Sequence, residues 1–73
     1  MTLDRSLKGQ RVYITAIRHP LVRAQAIRFG ISEGETVTVQ EVIPAGPVIV
    51  RKRHQELAIG RRMAADIGIR VMA

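Results

Sequence analysis

The sequence contains no cysteine, and its only aromatic residues are Tyr13 and Phe29. The absence of cysteine excludes disulfide bonds, thiolate metal sites and cysteine nucleophiles, and it fits a reducing cytoplasm. No apolar run approaches the roughly 20 residues that span a bilayer. The N-terminal residues MTLDRSLKGQ lack the apolar core of a secretory signal. We therefore expect a cytoplasmic protein without a membrane-spanning segment.

The chain is short, and its length limits what it can do. Its 73 residues are enough for one domain, 1–73, near the lower size at which a core sustains a fold alone. A catalytic cleft usually needs more scaffold, so the length favours a binding role over an enzyme. No serine, histidine and aspartate grouping and no close pair of acids indicates a catalytic site. We predict no catalytic residue and no cofactor.

The charge balance is strongly basic, with a net charge of +6. Such a balance favours an acidic partner, which is nucleic acid, an anionic membrane surface or an acidic protein face. The basic residues are spread along the chain rather than gathered in one run. A small domain that is merely solvated by its charges is therefore an equally good interpretation.

Alternating apolar and polar residues predict a mainly β structure. Ile17 breaks the alternation of the first strand, so a bulge or the strand end should lie near it. The third strand is expected to be an edge strand, and a single helical turn should precede the last strand. The five predicted strands are RVYITAI (11–17), ETVTVQEV (35–42), PVIVRKR (47–53), ELAI (56–59) and GIRV (68–71).

A short helix is predicted in HPLVRAQAIRFG, between the first two strands. Pro20 suits a first helical turn and Gly30 suits a helix end. Val22, Ala26 and Phe29 share one face, which we expect to pack inside, whereas Ile27 lies off that face. Five short strands with one inserted helix predict a small, strongly bent SH3-like barrel.

Glycine and proline residues mark the predicted turns. A phosphate-binding loop would need a strand before it and a helix after it, whereas Gly30 and Gly34 follow a helix and precede a strand. We interpret both as turn residues. Between the second and third strands, Pro44 fixes one backbone angle and Gly46 supplies conformational freedom.

Four segments of the chain carry a pattern of glycine, proline, arginine and apolar residues: SLKGQRVYI, VRAQAIRFGISEGETV, PAGPVIV and RHQELAIGRRMAADIGI. In these segments the chain resembles the ferrous iron transport protein A (FeoA) family. That domain also occurs at the C-terminus of iron-dependent repressors. Arg23, Ile27, Phe29, Gly30 and Gly34 match the family's helix and the turn after it. The departures are His54, where the family has glycine, Gly60, where a basic residue is common, and Glu33, at a frequent proline position.

The resemblance implies a small barrel with an accessory role in ferrous iron uptake. Members of the family are associated with FeoB, a membrane permease with a cytoplasmic GTPase domain, and this protein is expected to bind and modulate that cytoplasmic part. Its localisation would then be the cytoplasm or, through its partner, the inner membrane face. The length of the chain favours the free transport protein over a repressor domain.

Two surfaces are candidates for binding such a partner. The first is the exposed side of the helix, with Arg23, Ile27 and Arg28. The second is the predicted edge of the 48–53 strand, where Ile49 lies between basic side chains, among them Arg51 and Arg53. Because an exposed apolar edge invites strand pairing, weak self-association stays open as an alternative for either surface.

Two further functions are less favoured. His54 and Glu56 could share one face of a strand and bind a transition metal ion, although two ligands without a third make a weak site. A nucleic-acid interface is the other alternative, but with only two aromatic residues the chain lacks the stacking platforms that single-stranded RNA usually needs. The basic residues of that interface would be Arg51, Lys52, Arg53, Arg61 and Arg62.

Overall fold

One antiparallel sheet of five strands makes up most of the protein. The computed structural model describes residues 1–73. A short 3-10 helix, Leu3–Arg5, precedes the sheet. Neither of the two α-helices has the length and apolar character needed to cross a membrane. In chain order the elements are β1 (Arg11–Ile17), α1 (Pro20–Arg28), β2 (Thr36–Val42), β3 (Val48–Lys52), β4 (Gln55–Ile59), α2 (Arg61–Ala64) and β5 (Ile67–Val71).

The sheet has the strand order β4-β3-β2-β1-β5, with every pair antiparallel. The register shifts between Ile14 and Ala16 on β1 and between Val39 and Glu41 on β2. Such bulges bend a strand and increase its twist, which lets the sheet curl around its own core. The near-equal overall extents of 27 × 25 × 23 Å fit a sheet curled into a barrel-like shape, in which β4 and β5 do not pair with each other. The predicted mainly β architecture and the bulge before Ile17 are confirmed.

The inner face of this sheet carries the hydrophobic core, a single cluster of 14 buried residues. Leu3 of the 3-10 helix and Ile31 after α1 cover the ends of the barrel and are fully buried. Strand alternation explains the rest, because successive side chains point to opposite faces. The strand members are Val12, Ile14, Ile17, Val37, Val39, Val48, Val50, Ile59, Ile67 and Ile69, and the helices add Ala26 and Ala64.

The expectation that the 48–53 strand forms an edge is wrong. β3 lies inside the sheet, hydrogen-bonded to β2 on one side and β4 on the other. Only two residues separate β3 from β4, so the chain turns back at once and pairs along β3. The true edges are β4 and β5. Met1 covers part of the β5 edge by accepting a hydrogen bond from Ile69 (2.9 Å), whereas β4 leaves Glu56 and Ala58 exposed.

Helix α1 packs on the barrel through Val22 and Ala26, as predicted, but Phe29 does not join them. The side chain of Phe29 is 48% exposed. The helix ends at Arg28, and Gly30 then adopts a positive φ of 79°. This left-handed conformation redirects the chain, so Ile31 takes the interior place that the helical spacing assigned to Phe29.

The turn between β2 and β3 differs from expectation in one residue. Ala45, not Gly46, adopts the left-handed conformation, with φ 56°. Gly46 is needed for a different reason, which is close approach. A Cβ atom at this position would lie 2.8 Å from Cγ2 and 3.3 Å from Cβ of Ile43. Rotation of the Ile43 side chain alone would not relieve both contacts.

Gly46→Ala is therefore expected to destabilise the protein by about 1–2 kcal/mol through steric overlap. The matched control is Gly60→Ala, because an added Cβ at Gly60 meets no atom within 4 Å. Urea unfolding monitored by circular dichroism compares the two variants. Equal stability of the variants would contradict the steric explanation for Gly46.

Candidate docking surface

The solvent-exposed side of α1 presents apolar residues beside an arginine. Leu21, Ala24, Ile27 and Arg28 recur at spacings of three, four and seven, which place them on one helical face. Leu21 is 71% exposed and Ile27 is 56% exposed. We call these four residues the helix surface. Ile27, which lies off the face of α1 that packs inside, is therefore largely in solvent.

Arg23 lies at the border of the helix surface and is held by the protein itself. Its Nε donates a hydrogen bond to the carbonyl oxygen of Ile17 (2.9 Å), and its Nη2 lies 3.8 Å from Oε2 of Glu33. The same carboxylate oxygen accepts a hydrogen bond from the backbone N–H of Ile17 (2.8 Å). This arrangement fixes α1 to the end of β1 and to the loop that follows the helix.

The second predicted surface, around Ile49, is divided by the structure. Ile49 is half-buried on β3 and its neighbour Arg51 is exposed. Arg53 lies beyond the strand in the β3–β4 turn and adopts a positive φ of 57°. Ile49 therefore presents its side chain on the sheet's outer face instead of offering backbone groups at an edge.

The five basic residues of the suggested nucleic-acid interface do not form one free cluster. Lys52 donates to the carbonyl oxygen of Gly30 and pairs with Glu35 (3.4 Å). Arg61 donates to the carbonyl oxygens of Gly46 (3.0 Å) and Ile43 (2.9 Å). These two side chains are used to tie loops to the barrel.

The suggested metal ligands lie at the β3–β4 hairpin. His54 is in the turn and Glu56 is on β4, both exposed. No group of three or more histidine, cysteine, aspartate or glutamate residues is placed to hold a metal ion anywhere in the structure. The two side chains lack a third protein ligand.

Two open clefts border the helices. One, of about 520 Å³, runs between α1 and α2 beside Leu21 and Met63. The other, of about 360 Å³, lies at the ends of β1 and β5. His19 and Asp66 border both clefts, and both side chains are exposed rather than held in the sequestered environment typical of acid–base catalysis. The clefts give no positive indication of an active site.

Comparison with known proteins shows which family has this architecture. A family model described as the FeoA domain matches residues 1–71. The chain belongs to the FeoA family. This family takes part in ferrous iron uptake as an accessory component and is not a known enzyme family. Comparison with curated protein sequences found no match.

Solved structures of FeoA proteins are similar over the whole chain. A crystal structure of an iron uptake regulatory protein (FeoA) has a TM-score of 0.90 at 25% identity, covering 99% of this chain and 97% of that one. The FeoA protein from Chlorobium tepidum has a TM-score of 0.83 at 27% identity, covering 100% and 71%. A FeoA-like protein from Clostridium acetobutylicum, at 21% identity and a TM-score of 0.87, covers 100% and 87% and shows likeness of fold alone.

One departure from the FeoA pattern, Glu33, has a structural role. Glu33, where proline is frequent, supplies the carboxylate that holds Arg23 and the Ile17 N–H. His54 lies in the β3–β4 turn, next to Arg53, which adopts the left-handed conformation. Sequence reasoning missed Leu21, although its spacing of seven from Arg28 was the signal that both share one face.

Replacing Arg23 tests whether this residue serves the fold. Arg23→Met is expected to lower the free energy of unfolding by about 1 kcal/mol, because it removes the hydrogen bond to Ile17 and the partner of Glu33. Arg28→Met, which removes an arginine without such contacts, should change it by less than about 0.5 kcal/mol. Chemical unfolding measures both. Equal stability would mean that Arg23 is free to bind a partner, as the sequence alone suggested.

Metal binding at the hairpin is tested by anaerobic equilibrium dialysis against Fe²⁺. Because two exposed donors without a third make a weak site, His54→Ala should take up the same small amount of iron as the unmodified protein. One equivalent of iron bound by the unmodified protein and lost in His54→Ala would contradict this expectation.

Proposed function

We propose that this protein is a non-enzymatic cytoplasmic accessory of ferrous iron uptake that binds and modulates the cytoplasmic part of a FeoB-type GTPase permease. The observation that carries the proposal is the helix surface, where large apolar side chains stay in solvent beside Arg28. Membership of the FeoA family supports the assignment to iron uptake. One similar structure is that of an iron uptake regulatory protein.

The composition of the helix surface suits docking. Apolar side chains that remain exposed in contiguous groups typically mark interaction sites. Their burial against a partner supplies the driving force, and arginine is enriched among the residues that dominate interface energies. Arg28 also complements an acidic partner face, in line with the net charge of +6.

The anchoring of α1 favours affinity. The Arg23, Glu33 and Ile17 contacts hold the helix on the barrel before any partner arrives. A surface that is already ordered loses less conformational entropy on binding. In this proposal Arg23 positions the helix surface, and Leu21, Ile27 and Arg28 contact the partner.

Calorimetric titration into the purified cytoplasmic GTPase region of the permease, with GDP and with a non-hydrolysable GTP analogue, tests the proposal. Ile27→Asp and Arg28→Glu should each weaken binding at least tenfold, because the first places a charge in an apolar contact and the second sets a negative charge against an acidic partner face. Different affinities in the two nucleotide states would identify a state-reading regulator. Equal affinities would identify a scaffold.

The matched controls are Leu7→Asp and Arg5→Glu, which make the same chemical changes at exposed positions outside α1. Both should bind like the unmodified protein. Controls that weaken binding as much as the α1 variants would contradict the assignment of the surface. Loss of self-association, rather than of permease binding, in Ile27→Asp would instead make the helix surface a contact between copies of this chain.

A further inference from the structure

Three arginines from distant parts of the sequence meet on the outer face of the sheet. On β2, Thr38 is paired with Arg11 of β1 on one side and with Arg51 of β3 on the other. On the next row of that face, Tyr13 of β1 is paired with Arg70 of β5. Strands lie about 4.8 Å apart, so Arg11 and Arg51 start roughly 10 Å from each other. We call Arg11, Arg51, Arg70 and Tyr13 the arginine face.

The charges of the arginine face are not neutralised within the protein. All three arginines are exposed. The three ion pairs of the structure involve Lys8, Arg23 and Lys52 instead. Glu56 lies opposite Arg51 on β4, but the two side chains form no ion pair. The arginine face therefore presents to solvent three arginines that form no ion pair within the protein.

Tyr13 and Met72 give this face a partly apolar character. The guanidinium of Arg70 lies 4.9 Å from the centre of the Tyr13 ring, a cation–π contact. Met72 is 51% exposed, and its sulfur lies 3.7 Å from the hydroxyl of Thr36 on the same outer face. Guanidinium groups, one tyrosine and one exposed apolar side chain thus lie together.

We propose that the arginine face binds the phosphate headgroups of an anionic membrane, as a second contact for a protein whose helix surface holds the permease. This inference rests on the proposed function, which brings the protein to the membrane. Arginine forks match phosphate oxygens, and tyrosine is enriched at membrane interfaces. Met72 is placed to insert between headgroups.

The observations favour a lipid surface over single-stranded nucleic acid. Bases are usually held by stacking on free aromatic rings. Tyr13 is the only aromatic residue on this face, and Arg70 already covers its ring. The arginine face can thus bind phosphate groups but has no free aromatic ring on which a base could stack. This combination fits lipid headgroups better than single-stranded nucleic acid.

Three arginines give only weak membrane binding by themselves. Each basic residue near an anionic surface strengthens binding roughly fivefold, and the effect falls off within a Debye length. Once the helix surface is bound to the permease, the lipid contact becomes intramolecular and its effective concentration rises. The arginine face then orients the protein against the membrane and slows its release.

Co-sedimentation of the protein with phosphatidylglycerol–phosphatidylcholine vesicles that contain no permease tests the inference at low salt. The unmodified protein should bind these vesicles and not vesicles of phosphatidylcholine alone. The triple variant Arg11→Gln, Arg51→Gln, Arg70→Gln should bind on the order of 100-fold more weakly. The single variants Arg11→Gln and Arg51→Gln, each expected to lose roughly fivefold, provide the test if the triple variant does not fold by circular dichroism.

The matched control is Arg5→Gln, Arg18→Gln, Arg62→Gln, which removes the same charge from exposed positions away from the sheet. It should lose much less binding than the arginine-face variant. Equal losses, or no binding by the unmodified protein, would overturn the inference. Arginine-dependent binding of a single-stranded oligonucleotide, without vesicle binding, would assign the face to nucleic acid instead.

The proposal for the helix surface and the proposal for the arginine face can be tested independently, because each predicts a variant that loses only one kind of binding. Ile27→Asp should keep vesicle binding while losing the permease region. The arginine-face variant should keep the permease region, titrated in solution, while losing the vesicles. Loss of both activities in either variant would overturn the assignment of separate surfaces.

Discussion

The structure depends on one curled sheet that surrounds its own hydrophobic core on both sides. There is no second sheet, and the inner faces of all five strands meet across a single cluster. Bulges at Thr15 and Gln40 bend the neighbouring inner strands β1 and β2, so that the sheet can curl around this cluster. The position of α1 and the set of side chains that remain in solvent follow from this curling of the sheet around the core.

Charged side chains hold the loops where backbone leaves the sheet. Arg23, Lys52 and Arg61 each donate to main-chain carbonyl oxygens, at Ile17, Gly30 and the β2–β3 turn. Such bonds satisfy acceptors that no strand partner reaches. Part of the basic composition is therefore structural. Net charge alone therefore cannot separate the basic residues that hold loops from those that remain exposed.

Strand alternation and turn residues were enough to predict the order of elements and most of the core. The prediction failed where a residue's environment depends on what the next element does. Phe29 fits a helical core face, but the chain turns before using it, and β3 is internal only because β4 folds back onto it. The arginine face was invisible for the same reason, since Arg11, Arg51 and Arg70 become neighbours only through strand pairing.

The exposed edge of β4 bears on how copies of this protein behave in concentrated solution. Unpaired backbone groups on an edge strand can template pairing between molecules. Here the edge strand is five residues long and carries Glu56 as its second residue. The cations Arg53 and Arg61 flank it in the sequence. Two such edges approaching each other would bring like charges together. Charged residues at an edge strand disfavour such pairing, and concentrated salt weakens this effect because it screens the charges.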